Sequence, residues 1–228
     1  MTTEIVRGIS VRIGHGKFGE QVCQAFIDIL PQSAEVGILV DVRDFVWHGV
    51  QRGILADISH RCPATVNDAV AAAAGRLAAL ADGWQVLHIA GPGKTAALDA
   101  AYREAGLPAR VVEFCDRMGD VYAVADLLIG RAGANTVAEL TATGTPGVLM
   151  PYPFHADDHQ VLNAADMADA GAAVLVRDAA DPAVNADRLV AALAPILADP
   201  GASSAMADAA AALGRTDAAD AVARWLVG

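Results

Sequence analysis

Positive charge is scarce in this sequence. Its 228 residues carry 16 Lys and Arg against 27 Asp and Glu, a formal net charge of −11. Nucleic acid is bound by clustered Lys and Arg that displace counterions, so it is not expected as a partner. Cysteine is scarce too. Cys23, Cys62 and Cys115 are an odd number without tight spacing, which suggests neither a disulfide framework nor a zinc site and fits a reduced cytoplasmic setting. No run reaches the roughly 18 uninterrupted apolar residues of a membrane span. The opening MTTEIVRGIS lacks the apolar core of a signal peptide. Internal repeats and low-complexity linkers are missing as well. A soluble, intracellular chain is expected.

What the sequence does have is apolar content, 54% of its residues, enough to bury a core. Much of it is Ala, which favours helices without filling much volume. From residue 64 onward, helix and strand patterns alternate. TVNDAVAAAAGRLAALA reads as a helix with Thr65 and Asn67 as possible caps. WQVLHIAG is a strand, TAALDAAYREAGLPA a helix, ARVVEFC a strand and MGDVYAVA a short helix. ADLLIG, ANTVAELTATG, TPGVLMPYP, DDHQVLNAADMADAG and AAVLVRD continue the alternation. Two helices follow, over about 184–198 and 203–226, split by a DPGA turn. Such βαβ units predict an α/β fold, a doubly wound parallel sheet whose ligands bind beyond the carboxyl ends of the strands. Residues 1–63 are less regular: ISVRIGHGKFGEQVCQAFIDIL reads as strand, glycine turn and helix, and the stretch to ISH as one or two strands.

The segment GRAGANTVAE, residues 130–139, sits at one of those strand ends. Gly130 and Gly133 permit tight turns and close approach of a ligand. The helix start near Asn135 or Thr136 offers unpaired amides and the positive end of a dipole, a seat for phosphate. Glu139 admits two readings: the far member of a Thr136-x-x-Glu139 capping box, or a carboxylate that accepts hydrogen bonds from ribose hydroxyls. In MPYPFHADDHQVLNA, residues 150–164, Asp157 or Asp158 can cap a helix. Gln160 and Asn163 lie three apart on it and face one way, as amides suited to sugar hydroxyls or as plain surface residues. His155 and His159 flank two Asp, but no HExxH is present and no metal is expected. GPGKT at 91–95 is not a P-loop, because His88 stands where the Walker pattern needs its first Gly; Thr95 reads as a helix cap.

The ordered series ADLLIGRAGANTVAEL, GTPGVLMPYP, DDHQVLNA and DAGAAVLV, preceded by VVEFCDRMGDVYAVAD, resembles the donor-binding half of the MurG-type UDP-N-acetylglucosamine transferases of glycosyltransferase family 28. The likeness covers roughly residues 64–228, read as the UDP-sugar-binding domain, with 1–63 a divergent or truncated N-terminal segment. It implies the Rossmann-like C-terminal half of a GT-B enzyme that transfers N-acetylglucosamine (GlcNAc) from UDP to a lipid-linked acceptor, without a cofactor or metal. It implies a cytoplasmic chain, peripheral at the inner face of the cell membrane. By the same likeness Phe114 and Cys115 pair with the uracil through their backbone, backed by Asp116 and Met118. Cys115 stands where the family commonly has Ile, so its thiol is incidental. Arg131 and Gly133 join the donor site. Ala134, Asn135, Thr136, Val137 and Ala138 hold the diphosphate, Glu139 the ribose, and Gln160, assisted by His159 and Asn163, the GlcNAc hydroxyls.

Two departures stand out. Whole transferases of this type have an acceptor-side half with a glycine-rich turn and a His proposed as base; 63 leading residues are too few for it, and IGHGKFGE with His15 is a faint echo. Before TVND the family has a Gly-Gly-Ser-Gln-Gly-Ala loop on the donor phosphates, whereas ADISHRCPATVND has no glycine. No catalytic base is assigned. The alternative reading is a non-catalytic nucleotide-sugar-binding module, or a donor subunit that needs an acceptor-domain partner chain.

Overall fold

A computed structural model describes residues 3–6, 9–12, 52–57, 65–154 and 158–227. Within a first compact unit, Met1–Asp44, Thr3–Val6 (β1) and Ile9–Arg12 (β2) pair as an antiparallel hairpin. The second unit, Phe45–Gly228, holds everything else described.

Its strands are β3 (Arg52–Asp57), β4 (Trp84–Ile89), β5 (Ala109–Val112), β6 (Leu127–Gly130), β7 (Gly147–Leu149) and β8 (Ala173–Leu175). They form one sheet in the order β5-β4-β3-β6-β7-β8, every pairing parallel. The strand order reverses at β3, the doubly wound arrangement expected from the alternation. β3 pairs with β4 on one side and with β6 on the other, bringing Asp57 level with Gly130. The central strand thus comes from the irregular stretch ahead of residue 64. The crossover from β5 to β6 carries the chain from one edge of the sheet past β4 and β3.

The helices are α1 (Thr65–Leu80), α2 (Thr95–Ala105), α3 (Met118–Tyr122), α4 (Ala134–Thr143), α5 (His159–Asp169), α6 (Pro182–Ala198), α7 (Pro200–Leu213) and α8 (Ala218–Val227). α1 packs against α2 and α6, while α4 packs against α5 and α7. Strand side chains alternate between the two sides, as a period of 2 demands. Ile54, Ala56, Leu127, Ile129, Val148 and Met150 share a core with residues of α1, α2 and α6. Leu55, Leu87, Leu128 and Leu149 are equally buried but lie outside that cluster.

Several local expectations are corrected. The chain's end is three helices, not two. Asp199 alone separates α6 from α7, its carboxylate accepting from the Gly201 amide at 2.8 Å, and no longer turn intervenes. α7 then stops at Gly214, where a Cβ would lie 2.5 Å from the Thr141 carbonyl oxygen; the close pass of α4 leaves no space for a side chain. β5 ends at Val112 rather than at Cys115. Thr95 opens α2 but caps nothing, and Asn67 lies buried inside α1 with its side chain turned to β4. α8 is amphipathic yet buries no residue, with Trp225 81% exposed. Among the described residues no single helix is long and apolar enough to cross a membrane.

Candidate functional site

Most of the candidate residues sit at the carboxyl ends of β5, β6 and β7. β6 ends at Gly130 and α4 begins at Ala134, three residues earlier than a Thr136 cap requires. The N-cap is Gly133, extended at φ −66°, and no side chain caps the helix. The first amide to find a helical partner is that of Val137, which donates to the Gly133 carbonyl at 3.0 Å. α6 and α7 show the contrast: Asp181 and Asp199 accept from their first amides. α4 therefore presents the amides of Ala134, Asn135 and Thr136, and its positive dipole end, with no side chain across them.

The capping-box reading of Thr136 and Glu139 falls with that helix start. Thr136 already lies in the first turn, and the exposed carboxylate of Glu139 instead accepts a hydrogen bond from the Tyr122 hydroxyl at 2.9 Å. Tyr122 ends α3 in the crossover and is itself buried. Ala138 is exposed and Val137 partly so.

Arg131 is 2% exposed. Its Nη1 donates to Asp178 Oδ2 at 2.8 Å, to the Met150 carbonyl at 2.9 Å and to the Pro151 carbonyl at 3.3 Å. Asp178 Oδ1 accepts in turn from Asn185 Nδ2 at 2.7 Å and from the Ala180 amide at 2.8 Å. Burial pushes the Asp178 carboxyl up, but the Ala180 amide, Asn185 and Arg131 together outweigh it, and the net direction is down. Arg131 thus ties the ends of β6, β7 and β8 to one another. Its guanidinium carbon also lies 5.6 Å from the centre of the Tyr152 ring.

On α5, Gln160 and Asn163 do share a direction, and each already has a backbone partner. Gln160 Oε1 accepts from the Tyr152 amide at 2.8 Å, and Asn163 Nδ2 donates to the Ala132 carbonyl at 3.3 Å. They hold the loops after β7 and β6 respectively. His159 opens the helix, half-buried, and Asp158 precedes it in the left-handed region at φ 47° without capping it. His155, Asp157, His15 and the ISHRCPA stretch lie outside the described residues.

After β5, Phe114 is exposed and Cys115 and Met118 are partly buried. Burial, with the nearby Asp116 and Asp120, pushes the Cys115 thiol up against the lowering hydrogen bond from the Arg117 backbone, which disfavours the thiolate. Glu113 turns back on the neighbouring loop: its carboxylate accepts from the Gly93 amide of GPGKT at 2.7 Å. Among the described residues no three His, Cys, Asp or Glu converge as metal ligands.

Sequence reasoning missed Tyr122 and a second buried chain. Asn67 Nδ2 donates to the Ala90 carbonyl at 3.0 Å, so its Oδ1 is the acceptor for His88 Nε2 at 2.8 Å. That places the His88 proton on Nε2 and makes Nδ1 the acceptor for the Tyr102 hydroxyl at 2.8 Å. Burial alone lowers His88 to about 4 and pushes the Tyr102 phenol far above its ordinary value. The one available signal was a polar His inside the apolar run WQVLHIAG, which demands buried partners without naming them.

A six-stranded, doubly wound parallel sheet with an open helix start and a held carboxylate beside its switch point defines the class. It is a Rossmann-like domain of the kind that forms the C-terminal half of GT-B glycosyltransferases. The chain belongs to glycosyltransferase family 28, whose C-terminal domain matches residues 63–222. It is similar to the UDP-N-acetylglucosamine–N-acetylmuramyl-(pentapeptide) pyrophosphoryl-undecaprenol N-acetylglucosamine transferase of Sorangium cellulosum, 43% identical over 71% of this chain and 40% of that protein. The protein of the same description from a Nocardioides strain is 45% identical over 70% of this chain and 42% of its own. The chain therefore spans about two fifths of the length of these relatives. Among solved structures, Acinetobacter baumannii MurG superposes with a TM-score of 0.66 at 27% identity, over 85% of this chain and 56% of that one. The UDP-GlcNAc 2-epimerase of Neisseria meningitidis, bound to UDP-GlcNAc, shares the fold at 11% identity, TM-score 0.61, over 91% and 50% of the two chains.

Proposed function

We propose that this chain is the donor-binding half of a UDP-GlcNAc-dependent transferase acting on a lipid-linked acceptor of the peptidoglycan-precursor type. The observation that carries the reading is the start of α4, left without a side-chain cap directly beyond the carboxyl end of β6, at the switch point of the sheet. Gly133 supports it. Its φ of −66° suits any residue, and a Cβ there would meet nothing closer than Thr136 Oγ1 at 3.8 Å. The fold has no need of glycine at this point; a phosphate approaching the amides of Ala134, Asn135 and Thr136 does. The relatives' activity supplies the sugar, the nucleotide and the lipid pyrophosphate.

In this reading the backbone of Phe114 and Cys115 meets the uracil with Met118 behind it. The α4 amides hold the diphosphate, and Glu139 accepts from the ribose hydroxyls. His159, Gln160 and Asn163 face the sugar, the last two while bracing the loops they already hold. Arg131 acts through position. Transfer is a single displacement at C1. The acceptor oxygen forms its bond as the bond to the β-phosphate oxygen breaks, and the electron pair leaves with UDP. The acceptor proton passes to a general base, which is not assigned to this chain. Fixed helix-end amides stabilise the charge that develops on UDP. The chain works at the cytoplasmic face of the membrane, where such an acceptor is presented.

A second reading is a donor subunit or binding module that turns over only with a separate acceptor-domain chain; the stretch ADISHRCPATVND, without glycine where the family has its phosphate loop, favours it. Calorimetric titration with UDP-GlcNAc, without added metal, tests the part common to both. Binding is expected, weakened roughly tenfold or more by Glu139→Ala through loss of charge-assisted hydrogen bonds. No binding at millimolar ligand would overturn the site. Transfer measured with and without an added acceptor-domain chain then separates the two readings.

A further inference from the structure

We propose that Tyr122 is a positioning residue for nucleotide recognition, one that holds the Glu139 carboxylate ready for a ribose diol before any ligand arrives. The inference rests on the donor-site reading above and adds a residue that neither the motifs nor the spacing indicated.

The geometry comes from three features. First, Tyr122 ends α3 with its ring buried beside the equally buried Val121, so the phenol is anchored by packing. Second, its hydroxyl donates to Glu139 Oε2 at 2.9 Å across a separation of 17 residues, a charge-assisted bond between the crossover and α4. Third, among the described residues no partner takes the other oxygen, Oε1. A glutamate on an exposed helix face ordinarily samples several rotamers, and fixing it on ligand binding costs side-chain entropy. A phenol bonded to one oxygen fixes the side chain in advance and leaves the second oxygen available.

The same bond has a second consequence. α3 begins three residues after Cys115, and its own start is tied by the Arg117–Asp120 ion pair at 2.5 Å. The segment assigned to the base and the carboxylate assigned to the sugar are therefore coupled through Tyr122. They form one rigid reader of a nucleoside, not two independent contacts.

The test compares UDP with 2′,3′-dideoxy-UDP on the full chain, by calorimetry, for the wild type, Tyr122→Phe, Glu139→Ala and the double variant. Tyr122→Phe keeps the ring and removes only the hydroxyl. It is expected to weaken UDP about fivefold, the scale of one net hydrogen bond, and to leave dideoxy-UDP unchanged. In the Glu139→Ala background it should have no further effect. Equal weakening of both ligands, or an additive loss in the double variant, would show a general structural role and overturn the inference. So would an unchanged UDP affinity in Tyr122→Phe while Glu139→Ala still weakens it; that outcome leaves the donor site standing. A wild type that fails to bind UDP, or prefers it no more than the dideoxy ligand, overturns the donor-site reading and this inference together.

Discussion

β4 and β6 flank the central strand β3, and each is joined to its surroundings by a buried polar network, yet one network is neutral and the other ionic. On the β4 side, Tyr102, His88 and Asn67 pass hydrogen bonds in one direction to the Ala90 carbonyl. They tie α2 and the start of α1 to the strand between them. On the β6 side, Arg131, Asp178 and Asn185 tie three strand ends to α6. A buried guanidinium fits the second site because a carboxylate sits 2.8 Å away. Charge on His88 has no such counterpart, which is why burial lowers it to about 4. Both networks organise the edge of the sheet where the site lies, but acid and mutation should break them differently.

The largest expected effect is on the ionic side. Asp178→Ala leaves a buried guanidinium without its counter-charge and takes away the acceptor for Asn185 and the Ala180 amide. A loss of about 3–5 kcal/mol is expected in urea unfolding at neutral pH. A loss under about 1 kcal/mol would mean that the carbonyls of Met150 and Pro151 suffice for Arg131.

Acid separates the halves next. His88 is lowered in the folded state, so the unfolded chain takes the proton first. Its contribution is complete above its ordinary value of 6.5 and is lost as pH falls from there towards 4, about 3 kcal/mol in all. Asp178 is also lowered, from 3.8, so its share survives that window and is lost only at more acidic pH. Unfolding free energies between pH 7 and pH 4.5 should slope in the wild type and flatten in His88→Gln. An unchanged slope would assign the acid sensitivity to other groups.

The same contrast shows what could be read from the chain and what could not. The strands were legible because WQVLHI and LLIG are apolar runs bounded by turn residues, and the doubly wound parallel sheet followed from their alternation with helices. β3 was not, since RGILAD is short and sits in a stretch without clean alternation. The site segments were legible as motifs, but their internal bonding was not. Thr136 and Glu139 have the spacing of a capping box, and spacing carries no information about where β6 ends, which sets the start of α4. Arg131 and Asp178 are 47 residues apart, and Tyr122 and Glu139 17 apart; only the crossing of the sheet brings each pair together.

The smallest expected effect on stability is at Gly133, and it is the most informative about the site. Gly133→Ala keeps an allowed φ, and the added methyl meets only Thr136 Oγ1, in ordinary contact. Alanine is a poorer N-cap than glycine by about 0.5–1 kcal/mol, and it gains about 0.4–1 kcal/mol by restricting the unfolded chain. These nearly cancel, so the unfolding free energy should move by no more than about 0.5 kcal/mol. The methyl nevertheless stands beside the three amides that α4 leaves without a side-chain cap. If a diphosphate rests there, UDP-GlcNAc affinity should fall roughly tenfold, a cost of about 1.4 kcal/mol, by holding the phosphate off those donors. An unchanged affinity in a protein of unchanged stability would move the phosphate seat away from α4.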